Sequence, residues 1–133
     1  MEKTLVLIKP DAVKRGLVGE IINLYERKGL QIDQLKWFEP DEKRLAAHYK
    51  AHEGKPFYEG LMSFMHSGPL VAMVLKGENA ISVVRKINGA TDYIEAECGS
   101  IRGLYAYSKT ENCVHGSDGL DSAACEIDVW FGE

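Results

Sequence analysis

The run Leu70-Val71-Ala72-Met73-Val74-Leu75 is almost continuously apolar. Such a strand has no face to spare for water. It belongs at the centre of a sheet, covered on both faces or strongly buried on one. The rest of the chain has to supply its neighbours and its cover. Thr4–Ile8 is a second short apolar run, ended by Pro10, and Leu30–Phe38 is a third strand whose alternation slips near Gln34. Between them, Leu17, Val18, Ile21, Ile22 and Tyr25 recur at helical spacing, and Gly29 stands where a helix C-cap glycine belongs.

The order of elements then narrows the fold. Pro40 and Asp41 open a helix carrying Leu45, Ala46 and Tyr49, and Gly54 and Pro56 break it. Phe57, Leu61 and Phe64 mark another short helix, which Gly68-Pro69 stops. Ile81, Val84 and Ile87 form a helical stripe closed by Gly89. From Ala90 to Ser100 no periodicity is visible, and a loop that long in a small domain suggests a task. Leu104–Ser108 predicts the fourth strand, and the stretch from Leu120 to Trp130 a last helix. With the inserted helical pair and the C-terminal helix set aside, the order is β-α-β-β-α-β. That is the ferredoxin-like arrangement, an α/β (α+β) fold with a four-stranded antiparallel sheet. At 133 residues the expectation is a single domain over 1–133 with one core.

Composition excludes several function classes. Apolar content of 45% and charged content of 27% are those of an ordinary globular protein. A formal charge of −4 argues against a general nucleic-acid binder, which would show a basic face. No stretch approaches the ~18 apolar residues of a membrane span, and the N-terminus enters a strand directly, with no visible signal peptide. The three cysteines, Cys98, Cys113 and Cys125, show no C-x-x-C spacing, and read as reduced thiols in a cytoplasmic protein. Cys113 and His115 alone are too few to hold a metal.

The most informative stretch is Asn112-Cys113-Val114-His115-Gly116-Ser117-Asp118. Here a histidine sits where an apolar run stops and a small-residue turn begins. Imidazole is a nucleophile when one ring nitrogen is free and a partner holds the other. Glu126, on the following helix, is a natural holder. Elsewhere the groups suited to phosphate are scattered, since neither a Walker-type loop nor a G-x-G-x-x-G run is present. Lys9 ends the first strand, Arg85 lies one residue past an apolar stripe position, and Thr91 and Arg102 bracket the irregular loop. Phe57 can stack on a base or pack in a core, and Tyr49 and His52 share one helix end. A ferredoxin-like RNA-binding module is a competing reading, because Tyr105 and Tyr107 alternate correctly on the expected fourth strand. The acidic balance and the lack of a basic aromatic signature argue against it.

Taken together, the chain from Thr4 to Phe131 resembles the nucleoside diphosphate kinase family. The Asn112–Asp118 run carries that resemblance most specifically. Ile8-Lys9-Pro10-Asp11, Arg15-Gly16-Leu17-Val18-Gly19-Glu20, His48-Tyr49, Pro56-Phe57, Met65-His66-Ser67-Gly68-Pro69, Val71–Val74 and Ile101-Arg102-Gly103 match in order and spacing. The resemblance implies a ping-pong phosphotransferase that moves the γ-phosphoryl group of a nucleoside triphosphate, typically ATP, to a nucleoside diphosphate through phosphorylated His115. It implies that Lys9 and Asn112 bind ribose and the adjacent phosphate oxygens. Arg85, Thr91 and Arg102 would bind phosphates, and Phe57 would stack on any base. Tyr49 and His52 would line the phosphate path, Glu126 would hold the second nitrogen of His115, and Ser117 would support Glu126. Mg²⁺ would arrive on the nucleotide, with Asp118 reaching it through water and no all-protein metal site. A homo-oligomer, tetramer or hexamer, is implied as well. An inactive member kept as a regulatory protein is disfavoured by the intact set of Lys9, Tyr49, Arg85, Thr91, Arg102, Asn112 and His115.

The chain also departs from the family pattern. Tyr93 and Cys98 stand where the loop usually has prolines, so its conformational restriction is lower. Glu95 and Glu97 suit a phosphate site only if they face solvent. Ala90 and Leu104 replace residues that are usually charged, and Lys109 stands where an apolar residue often covers the base. The chain stops at Glu133, short of the C-terminal extension of some members, so subunit contacts made by that extension are expected to be absent or replaced.

Overall fold

A computed structural model describes residues 1–132; Glu133, the last residue of the expected domain, lies outside the described residues. Four strands form one sheet in the order β2-β3-β1-β4: β1 (Glu2–Ile8), β2 (Gln31–Phe38), β3 (Leu70–Gly77) and β4 (Val114–Gly116). Every pairing is antiparallel. The continuously apolar run is part of β3, a central strand, as its composition requires. The slip near Gln34 is a bulge in β2 between Ile32 and Gln34.

Helices cover both faces of the sheet. Val6, Ile8, Val71, Met73 and Leu75 point to one side and pack on α2 (Val18–Arg27) and α5 (Ala80–Asn88) through Ile21, Tyr25, Ala80 and Val84. Leu5, Leu7, Leu70 and Ala72 point to the other side, against α3 (Glu42–His48), α4 (Tyr58–Met65) and α7 (Leu120–Phe131). The inserted helical pair and the C-terminal helix therefore cover the face that a bare ferredoxin-like sheet leaves open. Each fully buried Leu or Ile here stabilises the fold by about 1.5–3 kcal/mol. Asp41 caps α3 by accepting from the Arg44 amide at 2.8 Å.

Two expectations are corrected. The fourth strand is not Leu104–Ser108. Ile101–Tyr105 is a short helix, α6, and the strand lies at Val114–Gly116. Ser100 caps α6, its hydroxyl accepting from the Gly103 amide at 3.0 Å. An added Cβ at Gly103 would collide with the Glu97 carbonyl and the Ser100 hydroxyl, so only glycine fits this turn. The Tyr105/Tyr107 alternation therefore does not belong to a strand. Pro10 does more than end β1: it opens α1 (Pro10–Lys14), for which its fixed φ is suited. The loop from Ala90 to Ser100 is a series of turns, and its Glu95 and Glu97 are exposed.

Candidate active site

Strand register places His115. It pairs with Leu7, whose side chain points toward α3 and α7, so the imidazole faces the same side. Glu126 comes down from α7 to meet it. The His115 Nε2–H donates to Glu126 Oε1 at 2.7 Å, and the Ser117 hydroxyl donates to the same oxygen at 2.7 Å. Ser117 is itself fixed on β1: its hydroxyl accepts from the Leu5 amide at 3.3 Å, and its own amide donates to the Leu5 carbonyl at 3.2 Å. With Nε2 committed to Glu126, Nδ1 keeps the free lone pair. The His115 side chain is 22% exposed and that of Glu126 17%.

A kink in front of β4 holds the next residues. Cys113 has φ of 73°, a left-handed backbone that costs a non-glycine residue about 1–3 kcal/mol. Asp11 accepts from its amide at 3.1 Å, and its carbonyl accepts from the Lys9 amide at 2.8 Å. The kink brings Asn112 to Lys9, whose ammonium donates to Asn112 Oδ1 at 2.8 Å. The Asn112 amide donates to the carbonyls of Lys109 at 3.0 Å and Thr91 at 3.3 Å. Lys9 is buried, and burial, reinforced by the Arg102 charge, brings its pKa down to about 8. Burial pushes the Cys113 thiol up to about 12, with Asp11 acting in the same direction. The thiol keeps its proton at neutral pH.

Arg102 is buried as well. It donates to the carbonyls of Gly89 and Val114, both at 2.7 Å, and so clamps the end of α5 to β4. Its Nε is buried without a partner. Burial lowers its pKa, and neighbouring Arg85 adds to the effect. Two cations held this close, with an unpaired buried donor, mark a place built for anionic oxygens.

Aromatic rings run outward from His115. His48 lies edge-on to it at 4.6 Å between centroids, Tyr49 is 4.5 Å from His48, His52 is 6.0 Å from Tyr49, and Phe57 is 5.4 Å from His52. The Tyr49 hydroxyl and His52 Nδ1 are buried without partners. Burial, with Glu126 nearby, raises the Tyr49 pKa, so the phenol keeps its proton. Phe57 ends the row at 51% exposure, a flat ring open to a ligand.

Most of the expected residues converge: Lys9, Tyr49, His52, Arg102, Asn112, His115, Ser117 and Glu126. Arg85, Thr91 and Phe57 lie at the rim, exposed, and Thr91 meets the others through its carbonyl alone. Asp118 is an exposed carboxylate that accepts from the Ser122 hydroxyl. That bond lowers its pKa, with Arg85 and His115 contributing. Sequence reasoning missed Asp11, His48 and Trp130. The readable signal for Trp130 was its spacing of four from Glu126, which puts both on one helix face. Among the described residues no helix is long and apolar enough to cross a membrane.

The fold is α+β, and its site sets a carboxylate-held histidine among buried cations. A family model for nucleoside diphosphate kinase matches residues 2–133. A nucleoside diphosphate kinase from a Thermoanaerobacter species is 53% identical, spanning 100% of this chain and 98% of the relative. One from Mycobacteroides abscessus is 54% identical over 98% of this chain and 96% of its own. The crystal structure of the apo nucleoside diphosphate kinase from Encephalitozoon cuniculi superposes with a TM-score of 0.97. It is 41% identical and covers 100% of this chain and 90% of that one. The chain belongs to the nucleoside diphosphate kinase family and is an enzyme of that class.

Proposed function

We propose that His115 carries the phosphoryl group in transfer from a nucleoside triphosphate to a nucleoside diphosphate. The observation that supports this reading best is the His115–Glu126–Ser117 chain, which commits Nε2 and leaves Nδ1 free. Nδ1 attacks the γ-phosphorus, the N–P bond forms, and the bond to the β-phosphate oxygen breaks. Glu126 stabilises the positive charge that develops on the ring. The diphosphate leaves, and a second diphosphate attacks phosphorus from the same side of the site, returning the electron pair to Nδ1. Lys9, Arg85 and Arg102 neutralise phosphate charge; Thr91 and Asn112 position oxygens and ribose. The Tyr49 hydroxyl and the His52 ring supply the donors that the protein leaves unpaired. Phe57 stacks on the base and reads no edge, so any base is accepted.

A divalent ion, Mg²⁺ in this reading, screens the phosphate charges and favours the leaving oxygen when bound. Asp118, an ionised and exposed carboxylate, fits a cation reached through water. The nucleotide phosphates supply the other oxygens. The exposed Leu35 and Trp37 on β2, the outer edge of the sheet, support a homo-oligomer, tetramer or hexamer, because an uncovered apolar edge strand invites pairing. A cytoplasmic location, with all three cysteines free, completes the reading. The test is incubation with ATP followed by assay for acid-labile phosphate on the protein. The native chain is expected to hold it and His115→Ala to hold none while remaining folded. Persistent phospho-enzyme in His115→Ala would overturn the proposal.

A further inference from the structure

Behind His115 lies a hydrogen bond that the reaction does not use. The Trp130 indole N–H donates to His48 Nδ1 at 3.0 Å. Indole nitrogen only donates, so His48 Nδ1 must keep its lone pair, and the proton of the neutral ring sits on Nε2. Protonating Nδ1 would set two N–H groups against each other beside a buried Trp130. Nitrogen atoms of His48 and His115 and a carboxylate oxygen of Glu126 all lie within 4.8 Å of one another. A cationic His48 would therefore compete with His115 for the single carboxylate.

We propose that Trp130 and His48 are positioning residues for His115: the indole N–H locks His48 in its neutral Nε2–H form, leaving Glu126 to serve His115 alone. This rests on His115 being the phosphoryl carrier. Most of the groups around His48 act in the same direction; the Glu126 carboxylate, which would favour a cation, is taken up by His115 Nε2 and the Ser117 hydroxyl. His48 faces His115 from β4, Glu126 from α7, Lys9 beyond the end of β1, and Tyr49 and His52 just past its own helix. Burial, then the charges of His115, Lys9 and His52, hold the His48 pKa well below the ordinary histidine value. Edge-on contact at 79° between the two imidazoles also limits rotation of the His115 ring. The lock is well mounted, since Trp130 packs edge-to-face on Phe38 at 5.1 Å and Arg44 lies over it at 5.8 Å.

The test compares the native enzyme with one carrying benzothienylalanine at position 130, which keeps the bicyclic shape and replaces N–H by sulfur. Trp130→Phe serves as a second variant. Nitrogen-15 NMR of the histidines reads the His48 tautomer directly, and the pH profile of phosphoryl transfer reads its consequence. Native His48 is expected to stay in the Nε2–H form across the profile. Without the indole N–H nothing bars a proton from Nδ1, so His48 should titrate at a higher pH than in the native enzyme, though burial and the neighbouring charges still hold it below the ordinary histidine value. The variant should then lose more activity than the native enzyme on the acid limb, by up to about tenfold per pH unit. It should match the native enzyme near pH 8. His48→Asn in the same background should remove the extra acid loss. A uniform fall in rate at every pH, or a native His48 with its proton on Nδ1, would overturn the proposal. If phosphate is instead found away from His115 while the tautomer is as stated, the carrier assignment has failed and the lock has not.

Discussion

The two ends of the site are built to different standards. Around His115, one group holds the next: Glu126 is held by Ser117, Ser117 by Leu5, Asn112 by Lys9 and two carbonyls, and Arg102 by two more carbonyls. Around Phe57 there is little of this. The ring is half exposed, lies edge-on to His52 with centroids 5.4 Å apart, and meets the Lys55 ammonium at 5.9 Å. Phosphoryl transfer gains from fixed geometry, because donors that are already aligned need no reorganisation as charge develops. A base that is only stacked needs a flat surface and tolerance. The tight end suits the reaction common to all nucleotides, and the loose end suits the part in which they differ.

Arg102 carries the largest expected effect at the tightly held end. Arg102→Ala should lower transfer by about 10- to 150-fold, equivalent to about 1.5–3 kcal/mol for a charged hydrogen bond. It should also lower the melting temperature, because the Gly89 and Val114 carbonyls lose their buried donors. Equal loss for every nucleotide is expected from steady-state kinetics with several donors. A loss confined to one base would place Arg102 at the loose end.

Lys9 gives the next effect. Its pKa of about 8 means that the free enzyme loses the ammonium above that pH, so kcat/KM should fall up to about tenfold per pH unit there. Lys9→Ala should give a low profile without that limb. Stability has the opposite sign. The folded pKa lies below the unfolded value, so between about pH 8 and 10.5 the unfolded chain binds the extra proton and rising pH relieves a penalty on folding. Denaturant titrations at several pH values check this against Lys9→Ala.

Phe57→Ala should weaken nucleotide binding by about 1–3 kcal/mol, the usual worth of base stacking, and by similar amounts for purines and pyrimidines. Calorimetric affinities for four diphosphates would show it. An unfolded variant whose folded fraction binds normally would make Phe57 a packing residue. The smallest effect belongs to the loop. Among the described residues the Tyr93 amide makes no hydrogen bond, so Tyr93→Pro should add about 0.4–1 kcal/mol of stability by restricting the unfolded chain. A loss in chemical denaturation would show that the loop backbone at 93 is set against proline.

How legible the molecule was in its sequence follows the same division. Long periodic elements announced themselves: β3 by its apolar run, α2 and α5 by their stripes, and α3 by Asp41. β4 did not, because three residues are too few for alternation, and Leu104–Ser108 offered a better imitation. What makes Ile101–Tyr105 helical is tertiary: the Ser100 cap, the Gly103 close approach and the Arg102 clamp. In the site, residues of recognisable chemistry such as His115, Glu126 and Lys9 could be named in advance. The roles of Asp11, His48 and Trp130 could not, since each works by holding another group across a large sequence separation; helix spacing puts Trp130 on the Glu126 face but does not name its partner.

The most direct test of a fixed reacting end serving a tolerant base end is the position of the phosphoryl group itself. The protein, with histidine nitrogens labelled, would be phosphorylated in turn by ATP, GTP, CTP and UTP, and the N–P bond located by phosphorus–nitrogen coupling. One phosphoryl group per chain, on Nδ1 of His115 with every donor, is the expected result, because Glu126 holds Nε2 whatever the base. Attachment at Nε2, at another residue, or at positions that change with the base would contradict the account.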